Sequence, residues 1–209
     1  MITIEKMLSG QIEMSEFVRQ LESNLDVQAS IKKLIPYEAI ENPSHEFWAL
    51  ISYGSLQANE FDFMKFLQWI CRFDNTIRDN LNIFGTIQAA YLYHYPDTRC
   101  TTRYYDAHGL YLDVIKDCFD GPEVRPIIED IIQTALKQST KKKRVEQAKR
   151  EVLHSFHISD NKKPRWIQGP EWPCGTNSPM KFISQKRQEE HVQYLFEDVD
   201  TNEVCIVTQ

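Results

Sequence analysis

Apolar residues along most of the chain recur with the spacing of an α-helix. They fall at i, i+3, i+4 and i+7, so one side of each helix would be apolar and the other polar. Met14, Phe17, Val18 and Leu21 form the first such set, with Ser15 near its start. The pattern predicts six to eight helices with short connections, around residues 14–21, 27–35, 45–57, 63–73, 83–91, 105–118, 128–136 and 140–157.

The apolar sides of two of these helices lead to specific expectations. On the helix around 105–118 we expect the buried side to consist of Tyr105, Leu112, Ile115 and Cys118. On the helix around 128–136 we expect Pro126 to lie in the first turn, where its missing N–H removes no helical hydrogen bond.

The hydrophobic period changes to two near the end of the chain. Val192, Tyr194 and Phe196 alternate with neighbours that would face the other way, and the alternation returns around Val204 and Ile206. Residues 198–203 form a polar stretch between these two runs, so residues 191–209 are predicted to form a β-hairpin. Residues 180–185 are predicted as a third strand of the same antiparallel sheet.

Between the helical and the strand patterns lies Pro164–Gln185, PRWIQGPEWPCGTNSPMKFISQ, which we call the Trp/Pro segment. Its four Pro and two Gly residues do not suit a helix, because Pro lacks the N–H donor and Gly favours turns. Trp166, Ile167 and Trp172 carry too much apolar area to remain in solvent as a polar linker does. We therefore predict a packed loop that, together with the last helix, covers one face of the sheet.

These elements predict an α+β fold with two domains. The first is an α-helical domain of residues 1–158, and the second is a small domain of residues 159–209 that holds the Trp/Pro segment and three antiparallel strands. The chain is 42% hydrophobic and 26% charged, which is ordinary for a globular protein.

The composition also bears on location. No apolar run approaches the ~20 residues that span a bilayer, and the first residues lack the basic and then apolar order of a signal peptide. Five cysteines without a CxxC pair indicate reduced thiols, and they favour neither a disulfide framework nor a cysteine-based zinc site. We expect a cytoplasmic protein with no membrane partner.

The net charge of −6 is unevenly distributed along the chain. Residues 1–139 carry 12 Lys and Arg against 20 Asp and Glu, which gives −8, whereas residues 140–209 carry 12 against 10, which gives +2. An acidic body repels nucleic-acid phosphates and speeds encounter with basic proteins. We therefore expect a basic protein partner and no nucleic acid.

The candidate partner-binding residues are the acidic side chains around the Asp120-Gly121-Pro122 break and the two Trp residues of the Trp/Pro segment. A helix end and the next helix start would lie side by side at that break. Trp is a frequent interface anchor, although both rings could equally form the core of the small domain. The full set is Asp113, Asp117, Asp120, Glu123, Glu129, Asp130, Trp166 and Trp172.

One residue pair points to a catalytic alternative. Arg103 and His108 have the Arg-x4-His spacing of helical nucleases of the HEPN type. That resemblance implies that His108 acts as acid and base and that Arg103 holds phosphate charge. Tyr104 stands where those enzymes usually carry a polar residue.

The remaining motifs lead us to expect no metal and no cofactor. Glu151 and His154 have the spacing of carboxylate-bridged iron sites, but such sites need a second copy on a facing helix. Residues 198–202 resemble the first half of a calcium loop, but Glu203 and Gln209 stand where Gly and Glu are required, so we assign these residues to a turn. Cys174 has no His close in sequence that would activate it as a nucleophile.

The motifs at the end of the chain resemble a known class of proteins. WIQGPEWP, SPMKFISQ and a terminal hairpin are similar to the C-terminal segment of cytosolic bacterial proteins, some of which look like immunity proteins of polymorphic-toxin and contact-dependent growth inhibition systems. The resemblance covers about 46 residues, from Pro164 onward. It implies a non-enzymatic, cytoplasmic protein that occludes the active site of a cognate toxin domain, such as a basic nuclease. The alternatives are a helical RNase that uses Arg103 and His108, and a housekeeping interaction module that uses the Trp/Pro segment.

Overall fold

The computed structural model describes residues 2–34, 70, 74–115, 121, 123–159 and 162–209. Within these residues seven helices precede three strands. The predicted α+β class, with a mostly helical body and a small antiparallel sheet at the end, is confirmed. The elements are α1 (Ile2–Leu8), α2 (Met14–Ser23), α3 (Leu25–Leu34), α4 (Ile77–His94), α5 (Arg103–Ile115), α6 (Arg125–Ala135), α7 (Lys141–Ser155), β1 (Lys181–Arg187), β2 (Val192–Glu197) and β3 (Val204–Thr208).

The chain divides into two compact units, Met1–His108 and Gly109–Gln209. The division falls within α5, so the second unit contains α6 and α7 as well as the sheet. It differs from the predicted boundary between residues 158 and 159. Compactness alone does not test where an independently folding domain ends, so the domains of residues 1–158 and 159–209 stay a prediction.

The sequence analysis did not predict α1, which is part of the core of the first unit. Ile4, Met7 and Leu8 are fully buried. The hydroxyl of Tyr91 on α4 donates to the carboxylate of Glu5 at 2.6 Å. These contacts with distant parts of the chain stabilise a helix of seven residues, which is too short to be stable alone.

The predicted apolar side of α2 is confirmed, and so is that of α4, where the same spacing predicts Ile83, Ile87, Ala90 and Tyr91. α4 begins after Thr76, whose hydroxyl accepts the N–H of Asp79 at 3.0 Å and satisfies one of the unpaired donors at the helix start. The buried residues of α2 are Met14, Phe17, Val18 and Leu21. Those of α4 include Ile83, Phe84, Ile87, Ala90 and Tyr91.

The helix α5 is present where the sequence predicts one, but its predicted buried side is wrong. Tyr105 and Leu112 are exposed. Tyr104 is buried instead, and its ring packs on Phe84 with centroids 4.7 Å apart. Large apolar residues lie on both sides of this helix, so size alone does not distinguish them. The buried side consists of Tyr104, Ala107, Leu110 and Val114.

Helices α6 and α7 form the helical part of the second unit. Pro126 lies in the first turn of α6, as predicted. The hydroxyl of Thr140 accepts the N–H of Lys143 at 3.3 Å at the start of α7. After Ser155 the backbone of His157 has a φ of 52°, a left-handed conformation that commonly ends helices.

The sheet has the order β1-β2-β3, and both strand pairs are antiparallel. The predicted hairpin and the predicted third strand are confirmed, and β1 continues to Arg187. Val192, Tyr194 and Phe196 are buried, whereas the alternating residues of β2 are half-buried. The side of the sheet that carries the three buried residues is its inner face, and the opposite side is its outer face.

Some sequence predictions concern residues outside the described ranges. The predicted helices around 45–57 and 63–73 lie outside them, apart from Ile70, which is helical and buried. Cys118 on the predicted helix around 105–118 also lies outside them. Within the described ranges, we find no helix whose length and apolar character would let it cross a membrane.

Candidate functional site

The Trp/Pro segment packs on the inner face of the sheet through Trp172. This residue is 2% exposed. Its ring meets Phe156 and Phe196 edge to face, with centroids 5.0 and 5.5 Å away. Its indole N–H donates to the C=O of Met180 at 2.8 Å, so the polar atom of the ring is satisfied. Trp172 therefore joins the end of α7, the Trp/Pro segment and β2 in one aromatic cluster.

Trp166 is half-buried and lies in the same cluster. Its ring centroid is 4.6 Å from that of Tyr194 and 6.0 Å from that of Phe196. The Tyr194 hydroxyl holds the backbone on either side of this Trp. It donates to the C=O of Arg165 at 2.9 Å and accepts the N–H of Ile167 at 3.1 Å. One side chain of β2 thus holds three consecutive residues of the segment.

The side chain of Gln209, just after β3, holds the next two residues. Its amide N–H donates to the C=O of Gly169 at 2.6 Å, and its amide oxygen accepts the N–H of Gln168 at 3.2 Å. The backbone of Gln209 exchanges two hydrogen bonds with Val192, at 2.7 and 3.0 Å. Because both ends of the amide have partners, its burial leaves neither end unsatisfied.

Asp198, which follows β2, holds the second half of the Trp/Pro segment. One carboxylate oxygen accepts the N–H and the hydroxyl of Thr176 at 2.8 and 3.0 Å. The other accepts the N–H of Asp200 at 2.9 Å. The backbone N–H groups of Asp200 and Thr176 lower the pKa of Asp198 to about 2, because they stabilise its charged form. The predicted turn at residues 198–203 is confirmed. The carboxylate of Asp198, the first residue of the calcium-loop resemblance, accepts hydrogen bonds from other groups of the protein.

Gly175 allows the backbone to approach this carboxylate. A Cβ at position 175 would lie 2.6 Å from the carboxylate carbon of Asp198, closer than side-chain carbons approach other atoms. The N–H of Gly175 donates to the C=O of Ser178 at 2.8 Å, and the N–H of Met180 donates to that of Pro173 at 2.9 Å. Residues 173–180 therefore form a tight turn on the Asp198 carboxylate.

Part of the Trp/Pro segment faces solvent in this fixed conformation. Ile167 is 53% exposed although the hydroxyl of Tyr194 holds its N–H. An exposed apolar side chain among polar groups of fixed geometry has the composition of a small binding surface. We call the exposed residues between Ile167 and Asn177 the segment rim, and they are Ile167, Gln168, Gly169, Glu171, Thr176 and Asn177.

The predicted acidic patch is only partly described. Asp117 and Asp120 lie outside the described residues. Asp113 is half-buried on α5, and Glu129 and Asp130 lie on α6. The side-by-side arrangement around the Asp120-Gly121-Pro122 break, and its role in partner binding, stay a prediction.

Glu123 connects the acidic residues with the Trp/Pro segment. Its carboxylate accepts the N–H of Cys174 at 3.4 Å. Burial, and then the negative charge of Glu123, raise the pKa of the Cys174 thiol, which disfavours a nucleophilic role. The structure thus associates three predicted site residues, Glu123, Trp166 and Trp172, with one segment.

Arg103 and His108, the candidate nuclease pair, lie on α5 in the first unit. The guanidinium of Arg103 contacts both carboxylate oxygens of Glu13, one of them at 2.7 Å, and donates to the hydroxyl of Tyr104 at 3.1 Å. His108 is half-buried, and burial together with the charge of Arg78 lowers its pKa. A separation of five residues turns an α-helix by about 140° beyond a full turn, so the two side chains leave it in different directions. The charge that a phosphate would need at Arg103 is already balanced by Glu13.

The described residues offer no metal centre. Within them, no group of three or more His, Cys, Asp or Glu side chains is arranged to hold a metal ion. Glu151, which with His154 has the spacing of carboxylate-bridged iron sites, accepts a hydrogen bond from Arg150 at 3.3 Å.

Comparisons with known proteins do not assign the chain to a family. No protein-family model matches it, and searches of curated proteins and of solved structures found no significant match. The resemblance to immunity proteins therefore stays an expectation from the sequence.

The sequence analysis missed the side chains that hold the Trp/Pro segment in place. Tyr194 was identified only as a strand residue, although a hydroxyl on the buried side of a strand needs a partner. Gln209 continues the alternation of Cys205 and Val207, which pair with inner-face residues of β2. A polar amide at such a position is a signal for a specific hydrogen-bonded contact.

We expect Trp172→Ala to lower the free energy of unfolding by ~3–5 kcal/mol, because it leaves a cavity and removes the donor to the Met180 carbonyl. Trp166→Ala should cost less, since that ring is half-buried. Ile167→Ala, which truncates an exposed neighbour, is the control. Urea denaturation provides the measurement, and a Trp172→Ala variant as stable as the parent would show that the ring is not part of the core.

We expect Asp198→Asn to change how stability depends on pH. The folded-state pKa of about 2 lies below the ordinary 3.8, so the carboxylate stabilises the fold above about pH 4 and loses this contribution as the pH falls towards 2. The variant should therefore be less stable than the parent at pH 7, and the two should converge near pH 2. A side-chain hydrogen bond from Arg19 also lowers the pKa of Glu16 to about 2. Because Glu16 is present in both proteins, both should still lose some stability as the pH falls.

The matched control is Asp130→Asn, which makes the same chemical change on the exposed surface of α6. Urea denaturation at several pH values between 2 and 7 gives the two curves. A difference between Asp198→Asn and the parent that is the same at every pH would contradict the assigned role of the Asp198 charge.

Proposed function

We propose that this chain is a non-enzymatic immunity protein that acts in the cytoplasm, where it binds a cognate toxin domain and occludes its active site. The surface that we assign to this contact is the segment rim, together with Glu123. The proposal combines the resemblance from Pro164 onward with the observation that side chains of the sheet and its turn hold the Trp/Pro segment by hydrogen bonds.

The fixed conformation of the Trp/Pro segment is the observation that carries the proposal. Tyr194, Gln209 and Asp198 hold the backbone of Ile167, Gln168 and Thr176 by hydrogen bonds. Binding usually costs free energy because loops and side chains become ordered in the complex. A rim that is already ordered in the free protein avoids much of that cost, which favours tight association with a protein surface.

The charge of the chain favours a basic toxin. The excess of acidic residues lies in residues 1–139, and the proposed surface itself carries the exposed carboxylates of Glu171 and of Glu123, which accepts the N–H of Cys174. A nuclease must offer positive charge where it holds phosphates, so an acidic surface is suited to cover its active site. Opposite charges on the two surfaces would also accelerate their encounter.

The environment of Arg103 favours this proposal over the RNase alternative. Its guanidinium is paired with Glu13 and with the hydroxyl of Tyr104. Phosphate binding at this position would have to displace or outcompete the carboxylate. We therefore assign Arg103 a structural role in the contact between α5 and the residue that precedes α2.

Co-expression with a toxin tests the proposal. The toxin domain encoded directly upstream of this chain's gene, produced alone in a bacterial host, should stop growth, and the parent chain should restore it. Ile167→Asp should lose this protection, because it places a charge at the apolar part of the rim without disturbing a buried residue. Glu123→Lys should slow association and weaken its dependence on ionic strength.

His108→Ala is the control, since the proposal gives this residue no role, and it should protect as well as the parent. Loss of protection in folded His108→Ala would favour the RNase alternative. Full protection by Ile167→Asp would remove the rim from the interface. If the parent neither protects cells nor binds the purified toxin domain, the immunity function itself is wrong.

A further inference from the structure

The two edges of the sheet differ in how they are protected against pairing with another strand. β1 carries Lys181, Lys186 and Arg187, and its pairing with β2 is shifted between Phe182 and Ser184. Charged residues and such bulges are the devices by which proteins keep an edge strand from pairing with another chain. The sequence of β3, VCIVT, contains no charge and no Pro, and its register with β2 is regular.

The backbone of β3 has a regular set of groups that point away from β2. Gln209 exchanges both hydrogen bonds with Val192, and antiparallel pairs alternate between bonded and non-bonded positions. It follows that Cys205 and Val207 bond to β2, whereas the N–H and C=O groups of Val204, Ile206 and Thr208 face outward. The side chains of Val204 and Ile206 are also 67% and 60% exposed.

We propose that β3 pairs with β3 of a second copy of this chain, in an antiparallel arrangement with a two-fold axis at Ile206. In this register Ile206 lies opposite its own counterpart, and Val204 lies opposite Thr208 of the second copy. Every outward N–H and C=O of Val204, Ile206 and Thr208 then has a partner. The result is a continuous six-stranded sheet with the self-complementary interface of a two-fold dimer.

The pairing of all three outward residues and the position of the charges favour the axis at Ile206, because an axis at Cys205 or Val207 would pair only two of those residues within β3. With the axis at Ile206, Glu203 lies at the end of the pair, opposite Gln209 of the second copy. An axis at Val204 would instead bring the two Glu203 residues into diagonal proximity near its centre, where like charges repel. An axis at Thr208 would pair only half of the strand.

The outer face of the sheet is suited to the same register. Leu195 pairs with Ile206 across β2 and β3. The two-fold axis would place the Leu195–Ile206 rows of both copies next to each other and form one apolar stripe. Glu197 lies opposite Lys181 of its own sheet and opposite Val204, so the acidic groups of this face are kept apart from those of the second copy. This inference does not depend on the proposed function.

Light scattering after size exclusion measures the expected dimer. One chain has a mass of 24.6 kDa. At high concentration the parent should have about twice that mass, and it should dissociate to single chains on dilution. Ile206→Lys should abolish the dimer and keep the folded secondary structure, because the side chain is exposed. Ser184→Lys, which adds the same charge to the β1 edge, is the matched control and should remain dimeric.

Cysteine cross-linking tests the register in a Cys205→Ser background. Ile206→Cys should form a disulfide-linked dimer under mild oxidation, because opposite Cα atoms of a bonded antiparallel pair lie about 5.5 Å apart, within the range of a disulfide. Val204→Cys and Thr208→Cys should not do so separately, since the two copies of either residue would lie roughly 14 Å apart along the strand. A mixture of the two variants should cross-link.

Each other outcome overturns the inference. A parent that is monomeric at all concentrations contradicts self-pairing. A dimer that persists in Ile206→Lys places the interface elsewhere. A monomeric parent that binds a toxin strand, with binding lost in Ile206→Lys, assigns the edge to that partner and not to a second copy. Cross-linking of Val204→Cys alone contradicts the register.

Discussion

The second unit depends on one constraint, namely that a three-stranded sheet needs a cover for its inner face. The cover comes from the rings of Trp166 and Trp172, which pack on Tyr194 and Phe196, and from Phe156, which packs on Trp172. A long irregular segment can serve as this cover only if its buried backbone groups find partners. The hydroxyl of Tyr194, the amide of Gln209 and the carboxylate of Asp198 provide them, so aromatic packing and hydrogen bonding hold the same segment.

This arrangement explains the unusual composition of the Trp/Pro segment. The indole rings provide the buried area, while Pro and Gly allow the backbone to turn over the sheet without a regular ladder of hydrogen bonds. Gly175 is needed because the Asp198 carboxylate occupies the place of its Cβ. The residues that remain exposed, such as Ile167, are therefore fixed in space. A rigid surface of this kind is the physical basis of the proposed binding function.

The sequence predicted those features that follow from periodicity. The apolar sides of α2 and α4 and the change to strands were predictable because burial imposes a regular spacing. The packing of the Trp/Pro segment was predictable from the apolar area of its Trp residues. The buried side of α5 was not, since Tyr104 and Tyr105 are equally large and only contact with Phe84 distinguishes them. The position of Gln209 signals a buried hydrogen bond, but its partner could not be derived, because the sequence does not show which backbone 40 residues away lies beside it.

Amide hydrogen exchange is the most direct test of the central claim, that the Trp/Pro segment is a fixed part of the second unit. The N–H groups of Ile167, Gln168 and Thr176 should exchange as slowly as that of Tyr194 in β2, because the same opening releases them all. The N–H of Glu171, which has no partner among the described residues, should exchange rapidly. If the first three exchange as fast as Glu171 while Tyr194 stays protected, the segment is a mobile loop and the account is wrong.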